Sequence, residues 1–264
     1  LNLLIPKAKG DIIIRVDGHT SIAPDYVRQC VLVSTASGAE NVGGRMTAMG
    51  SNVFGKAVAA ATSVPFGIGN ARFHYSEKEE YVDSVYLGAW PIHVFKKIGL
   101  FDEELVRDQD DEFNYRLRAS GGRILLSPKI NSYYTVRSSP LLLWKQYFQY
   151  GFWKVRVLQK HPHQMSLRQF IPLGFVLALI LTLFLSFLVP WGWKALSVLL
   201  AAYLLANLSA SIRTASGQGF KTFLLLPLAF AIIHLGYGLG FFVGLFKFWN
   251  RWGDKAGKVP KFEV

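Results

Sequence analysis

The chain has 264 residues, of which 51% are hydrophobic, and its formal net charge is +12. The charge alone would fit a nucleic-acid partner, but the apolar residues concentrate after residue 168 and many basic residues lie beside them, so we expect a membrane surface and no nucleic acid. The single cysteine, Cys30, excludes an internal disulfide and agrees with a cytoplasmic location for the soluble part.

The first predicted element is a strand at residues 12–16, an apolar run ending at Asp17 that is typical of a buried parallel strand. An α/β domain seldom begins this way, so we expect residues 1–139 to be part of a domain whose first strands precede this sequence. Helices at 26–35, 91–98 and 110–119 alternate with strands at 41–44, 82–87 and 123–126, the last stopped by Pro128. This alternation predicts an α/β fold with a mostly parallel sheet and helices on both faces.

Residues 140–168 interleave aromatic and aliphatic side chains with lysines and glutamines, which predicts an amphipathic helix lying on the membrane. Apolar stretches at 170–191, 195–212 and 223–246 follow, each long enough to cross a hydrocarbon core of about 30 Å as a helix. They predict an all-α transmembrane region at 169–248, followed by a basic tail at 249–264.

Three crossings from a cytoplasmic domain would place the basic tail outside, against the tendency of basic residues to stay inside. We therefore expect one apolar stretch to be re-entrant or interfacial. The third is the candidate, because Pro227, His234 and the glycines at 236, 238 and 240 interrupt it.

Asp17, Gly18 and His19 directly follow the first predicted strand. Ligands collect at the carboxyl ends of strands in open α/β sheets, so Asp17 and His19 are candidates to hold a divalent cation on a diphosphate. An ordinary Asp-Gly turn explains the same residues.

Residues 108–112 contain four acids, and Arg116 follows Glu112 by four positions on the same predicted helix. Carboxylates are favoured at a helix N-terminus, so a solvated helix end accounts for the cluster. The alternative is a general base among them: Glu112 pairs with Arg116 across one turn, which leaves Asp110 facing the crevice.

The order of several motifs along residues 1–165 resembles the family 2 glycosyltransferases, above all the succinoglycan-biosynthesis type. These motifs are Ile-Ile-Ile-Arg-Val-Asp-Gly-His at 12–19, Val-Gly-Gly at 42–44, Pro-Phe-Gly-Ile-Gly-Asn at 65–70, Ile-Gly-Leu-Phe-Asp-Glu at 98–103 and Gln-Asp-Asp-Glu-Phe-Asn-Tyr-Arg at 109–116. The resemblance implies a GT-A fold, a nucleotide-diphospho-sugar donor and inversion at the anomeric carbon in one displacement.

The resemblance also implies roles for individual residues. Asp17 and His19 fall on the motif that binds Mn²⁺ or Mg²⁺, with His19 in place of a second aspartate. Asp110 falls on the catalytic base, with Gln109 in place of the usual glutamate. The supporting positions on the same helix are Asp111, Glu112 and Arg116.

Two further pairs are weaker candidates. Gly69 and Asn70 can bring the backbone close to donor phosphates, although a plain turn explains them as well. Gln149 and Trp153 resemble an acceptor-site signature of processive synthases in which Phe152 replaces the arginine, and an aromatic helix on the membrane surface explains them equally well. The missing arginine favours the addition of one sugar per encounter.

The expected function is transfer of a sugar from a nucleotide-diphospho-sugar to a lipid-linked (polyprenyl) saccharide or a growing exopolysaccharide. The expected location is the inner or plasma membrane, with several crossings and a cytoplasmic catalytic domain. A polyprenyl-phosphate sugar synthase and a non-catalytic scaffold subunit of a polysaccharide assembly complex remain the alternatives.

Overall fold

The structure is a computed structural model that describes residues 1–18, 20–163, 165–216, 219–255 and 257–262. The strands are β1 (Ile12–Ile14), β2 (Thr20–Ile22), β3 (Asn41–Met49), β4 (Glu80–Tyr81), β5 (Tyr86–Pro91) and β6 (Ile124–Thr135). The helices are α1 (Tyr26–Ser37), α2 (Val53–Ala61), α3 (Pro65–Ile68), α4 (Ile92–Ile98), α5 (Gln109–Ala119), α6 (Pro140–Lys160), α7 (Ile171–Leu188), α8 (Gly192–Thr214) and α9 (Phe220–Lys247).

The chain forms two compact units. Unit 1 consists of Leu1–Met49, Asn70–Thr135 and the tail from Asp254, and unit 2 consists of Gly50–Gly69 and Val136–Gly253. The predicted linear division at residue 139 therefore differs from the packing at two places. Residues 50–69 belong to the helical unit, and the predicted basic tail contributes to the sheet-containing unit.

The sheet of unit 1 has the strand order β1-β5-β3-β6-β2, and β4 also pairs with β6. Only the β3–β6 pair is parallel among the described strands, and the remaining pairs are antiparallel. The prediction of a mostly parallel sheet is wrong, and the sheet is mixed. An apolar run indicates burial but carries no information on strand direction, and β1 turned out to be a half-buried edge strand.

Successive residues of β6 point to opposite faces of the sheet, and each face is covered. Ile124 and Leu126 pack into a core with α4 and α5, where Trp90, Phe95, Phe101 and Phe113 form an aromatic cluster. Leu125 packs with Tyr26 and Cys30 of α1. The predicted arrangement of helices on both faces is confirmed.

Strand β6 continues past Pro128, where we predicted that it would stop. The β3–β6 register jumps from the Gly43–Leu126 pair to the Arg45–Asn131 pair, and the bulge between them contains the proline. Gly44 is required opposite this bulge, because an added Cβ would lie 1.6 Å from the Ile130 carbonyl oxygen.

Among its described residues, unit 2 contains three helices that are long and apolar enough to cross a membrane, spanning Leu167–Leu188, Gly192–Thr214 and Phe220–Lys247. Their positions match the three predicted apolar stretches, and the chain is that of a membrane protein. Helix α9 is continuous through Pro227 and through its glycines. The glycines are sites of close packing: an added Cβ at Gly240 would lie 2.0 Å from the Phe148 oxygen of α6.

Candidate active site

Arg15 and Asp17 form an ion pair at the end of β1. The guanidinium donates from Nε to Oδ1 of Asp17 at 2.8 Å and from Nη2 to Oδ2 at 3.1 Å. The side chains are 16% and 24% exposed, so the pair faces a partly open surface. The Arg15 backbone N–H donates to the Gly88 oxygen of β5 at 3.1 Å, which fixes the start of this loop on the sheet.

The negative charge of Asp110, in the first turn of α5, stabilises the charge of the same guanidinium. Burial of Arg15 opposes its charge, but the negative charges of Asp110 and Asp17 outweigh burial and raise the pKa of Arg15 above its ordinary value. Two acidic residues that are 93 positions apart in the sequence therefore both stabilise the charge of one guanidinium. Asp17 does so through an ion pair and Asp110 through its negative charge.

Helix α5 is fixed below Asp110 by the predicted Glu112–Arg116 pair. Arg116 donates from Nε and Nη2 to the two carboxylate oxygens of Glu112 at 2.7 and 3.0 Å. Its Nη1 and Nη2 also donate to the carbonyl oxygens of Ile98 and Leu100. Glu112 is 1% exposed, so the ion pair is buried. The bonds from Arg116 to Ile98 and Leu100 attach the helix to the loop that precedes it.

The residues next to Asp110 also anchor the helix. Gln109 donates from its amide nitrogen to the Leu105 oxygen, a hydrogen bond that an ionised glutamate could not donate. The Asp111 N–H donates to Oδ1 of Asp110 at 3.1 Å. Asp108 occupies the N-cap position with φ +61°, a left-handed conformation that aspartate tolerates better than most residues.

Sequence reasoning missed two further residues of the site, Thr20 and Tyr86. Their hydroxyl oxygens lie 2.6 Å apart. Burial raises the pKa of Tyr86 to about 12, the Thr20 hydrogen bond opposes this rise, and the nearby Asp17 charge adds to it. Tyr86 therefore stays a neutral phenol beside Asp17 at physiological pH.

The backbone after Tyr86 is strained. Leu87 has φ +65°, which is rare for a branched residue, and Gly88 follows at φ +92°. Backbone strain of this kind persists where the surrounding structure fixes it, often beside functional sites.

No sequence pattern indicates that Tyr86 belongs to the site. Arg15 does have a signal: it stands two residues before Asp17, the spacing that puts side chains on one face of an extended chain.

The predicted metal site is only partly within the described residues, because His19 lies outside them. Asp17 gives both carboxylate oxygens to Arg15. Within the described ranges, no group of three or more His, Cys, Asp or Glu side chains could hold a metal ion. Asp17 is paired with Arg15 and His19 lies outside the described residues, so the metal site at these two positions stays a prediction.

The weaker candidates lie apart from this cluster in the chain. Gly69 ends α3 at φ +63°, and Asn70 follows it as an exposed residue. Gln149 is exposed on α6, and the Trp153 ring packs 5.8 Å from the Phe248 ring. Trp153 therefore packs against the hydrophobic core of unit 2.

No family model matches the chain. The succinoglycan biosynthesis protein ExoA of Rhizobium meliloti (strain 1021) is 30% identical over 244 residues, which cover 92% of this chain and 72% of that protein. A dolichyl N-acetyl-alpha-D-glucosaminyl phosphate 3-beta-D-2,3-diacetamido-2,3-dideoxy-beta-D-glucuronosyltransferase of Methanococcus voltae is 26% identical over 249 residues, covering 92% of this chain and 73% of that protein. The similarity to both runs through the two units of the structure.

Proposed function

The chain belongs to the family of the succinoglycan biosynthesis protein ExoA, and from this membership and the geometry of the site we propose that it is an inverting, family 2 glycosyltransferase of the GT-A type. The donor is a nucleotide-diphospho-sugar, and the acceptor is a lipid-linked saccharide at the cytoplasmic face of the membrane. The observation that carries the proposal is that Arg15 is ion-paired with Asp17 and is also influenced by the charge of Asp110.

In this mechanism Asp110 accepts the proton of the acceptor hydroxyl as that oxygen attacks the anomeric carbon of the donor. The bond from the anomeric carbon to the diphosphate breaks in the same step, so the configuration inverts. Arg15 supplies positive charge near the departing diphosphate, and the neutral Tyr86 hydroxyl donates a hydrogen bond there. The Glu112–Arg116 pair keeps Asp110 in position.

The lipid-linked acceptor is supported by two observations. The Methanococcus voltae relative is named as a transferase acting on a dolichyl-phosphate-linked sugar. Three helices of this chain are apolar enough to lie in a membrane, which provides the environment in which such an acceptor is found.

The test is release of nucleoside diphosphate from a panel of nucleotide sugars by the protein in membranes, with lipid-linked saccharide present. We expect Asp110→Asn to lower the turnover number by about 10²- to 10⁴-fold, the contribution typical of a general base. Asp83→Asn is the matched control, because Asp83 is a 73% exposed carboxylate that pairs with Arg118 on the surface. It should keep wild-type turnover.

The alternatives give different results in the same assay. Turnover on a polyprenyl phosphate that survives Asp110→Asn would replace the proposal with a polyprenyl-phosphate sugar synthase, because an ionised phosphate needs no base. Absence of turnover with every donor and acceptor would favour the scaffold subunit.

A further inference from the structure

The tail that follows α9 belongs to unit 1 and binds the loop at residues 99–103. The Leu100 N–H donates to the Pro260 oxygen at 2.9 Å, and the Glu103 N–H donates to the Lys258 oxygen at 2.8 Å. The Lys258 N–H donates to Oδ1 of the buried Asp102 at 3.0 Å. The tail is thus paired with this loop by its backbone.

Side chains complete the contact. The Phe262 ring packs against the core that contains Phe101 and Phe113. Gly99 has φ +80°, and an added Cβ there would lie 2.9 Å from Val259. At Gly257 an added Cβ would lie 2.5 Å from Oδ2 of Asp102. The tail therefore fits this loop closely at several separate positions.

The same loop holds the helix that carries Asp110. Arg116 of α5 donates to the oxygens of Ile98 and Leu100, so Leu100 accepts from the catalytic helix and donates to the tail. We propose that residues 257–262 form a positioning element of the transferase, acting on Asp110 through the 99–103 loop and Arg116. The catalytic part of this inference rests on the proposed function, whereas the docking of the tail does not.

Deletion of residues 254–264 tests the positioning role in membranes containing the protein. We expect the turnover number to fall by about 100-fold, the cost typical of a misplaced catalytic group, while the KM for the donor changes little. A peptide of residues 254–264 added in trans should restore turnover. Lys255→Ala, which alters an exposed lysine, is the control and should leave turnover unchanged.

A second pair of variants guards against a simple loss of folding. Asp102→Asn keeps Oδ1 as an acceptor for the Lys258 N–H and should retain most activity, whereas Asp102→Leu removes the acceptor and should behave like the deletion. Equal activity of the deletion variant and the wild type would overturn the proposal.

Hydrogen exchange separates the docking of the tail from the proposed chemistry. Deletion should speed the exchange of residues 99–119 and leave α1, which packs in the other core cluster with Leu125, unchanged. This result is expected even for a chain that turns over no sugar. Unchanged exchange at residues 99–103 would show that the tail does not bind the loop.

A different set of observations concerns how the chain crosses the membrane. The tail is hydrogen-bonded to the 99–103 loop of unit 1, and a bilayer core of about 30 Å cannot lie between two hydrogen-bonded backbones. The chain leaves unit 1 after Thr135 and re-enters it at Asp254, so the number of membrane crossings between these two residues is even. Three candidate helices lie in that range. At least one of them therefore does not cross.

Helix α9 is packed by segments that precede the first candidate crossing in the chain. The Phe66 ring of α3 lies 4.9 Å from the rings of Phe230 and His234. Gly240 and Gly244 pack against α6. These contacts run over about 21 Å of α9, and 44% of its most apolar window is buried, against 17% for the first candidate and 11% for the second.

The distribution of basic residues also separates α9 from the turn between α7 and α8. The turn between α7 and α8 is followed by a single basic residue, Lys194, whereas Arg213 and Lys221 flank the connection between α8 and α9. Lys247 ends α9, and four more basic residues follow it: Arg251, Lys255, Lys258 and Lys261. We infer that α7 and α8 form a hairpin that crosses the membrane twice, and that α9 does not cross it.

Labelling of introduced cysteines with a membrane-impermeant maleimide in intact and opened cells tests this topology. The positions are Glu77→Cys in unit 1, Trp191→Cys in the α7–α8 turn, Ser216→Cys before α9 and Lys255→Cys in the tail. The native Cys30 is buried, and burial raises its pKa to about 11, so it is a poor competitor for the reagent.

We expect Glu77→Cys, Ser216→Cys and Lys255→Cys to label from one side and Trp191→Cys from the other. If Ser216→Cys labels from the side opposite to Lys255→Cys, α9 crosses and the assignment to α7 and α8 is wrong. If Glu77→Cys and Lys255→Cys label from opposite sides, the even number of crossings is wrong as well.

Discussion

Helix α5 in unit 1 and helix α9 in unit 2 hold their neighbours by opposite means. In α5, the charged Arg116 side chain reaches Glu112 and two carbonyl oxygens of the preceding loop. In α9, the absence of side chains at Gly236, Gly240 and Gly244 lets the backbone of α6 approach. The first contact depends on charge and the second on volume, so each should be sensitive to a substitution that the other tolerates.

The largest expected effect is at the buried charge. Glu112→Gln keeps the shape of the side chain but leaves the Arg116 guanidinium without its counter-ion, and breaking a buried pair from one side costs about 3 to 5 kcal/mol. The cost should fall at the lower end, because Arg116 is 15% exposed and solvent screens part of its charge. Thermal unfolding of the detergent-solubilised protein measures the loss.

The control for this prediction is Asp83→Asn, which alters the exposed pair with Arg118. Exposed ion pairs contribute at most about 1 kcal/mol, so this variant should melt close to the wild type. If the two variants destabilise the protein equally, burial does not decide the strength of the pairs in unit 1.

The next effect is steric. In Gly240→Ala the new methyl group would lie 2.0 Å from the Phe148 oxygen, so the backbones of α6 and α9 must separate at a cost of about 1 to 3 kcal/mol. Gly174→Ala in α7 is the matched control, because nothing lies within 4 Å of its added methyl group. It should be neutral or slightly stabilising, since alanine favours helix.

The same helices show how far the sequence could predict the structure. The acidic start of α5 and its Glu112–Arg116 spacing are local features, and both the helix and the pair were predicted. The glycines of α9 were interpreted as interruptions, because a sequence alone does not reveal which helix packs against them. Their function as contact points depends on α6, about 90 residues earlier in the chain.

The site shows a similar limit. Asp17 and Asp110 follow local patterns of a strand end and a helix start, so they were identified as candidates. Tyr86 begins β5 next to the strained backbone of Leu87, and this strain has no sequence signature. Strand direction was mispredicted for the related reason that β1 pairs with β5, whose position in the sheet the apolar pattern does not encode.

A smaller effect is expected where α8 and α9 meet through polar groups. The Asn207 amide donates to the Pro227 oxygen at 3.0 Å, and hydrogen bonds between membrane helices contribute about 0.6 kcal/mol on average. Asn207→Leu should therefore destabilise the protein less than Gly240→Ala in the same thermal assay. A larger loss would mean that polar contacts, rather than volume, hold α9.

The last prediction concerns the binding of a divalent cation. We expect the protein without nucleotide to bind it weakly. Asp17 is neutralised by Arg15, so purified, chelator-treated protein should bind Mn²⁺ weakly by calorimetry when no nucleotide is present. Adding a nucleoside diphosphate supplies phosphate oxygens and should tighten binding. Arg15→Gln frees the Asp17 carboxylate and should tighten binding without nucleotide. Tight stoichiometric binding by the wild-type protein alone would show that Mn²⁺ displaces Arg15 from Asp17. The ion pair in unit 1 would then be easier to break than the glycine contacts between α6 and α9 in unit 2.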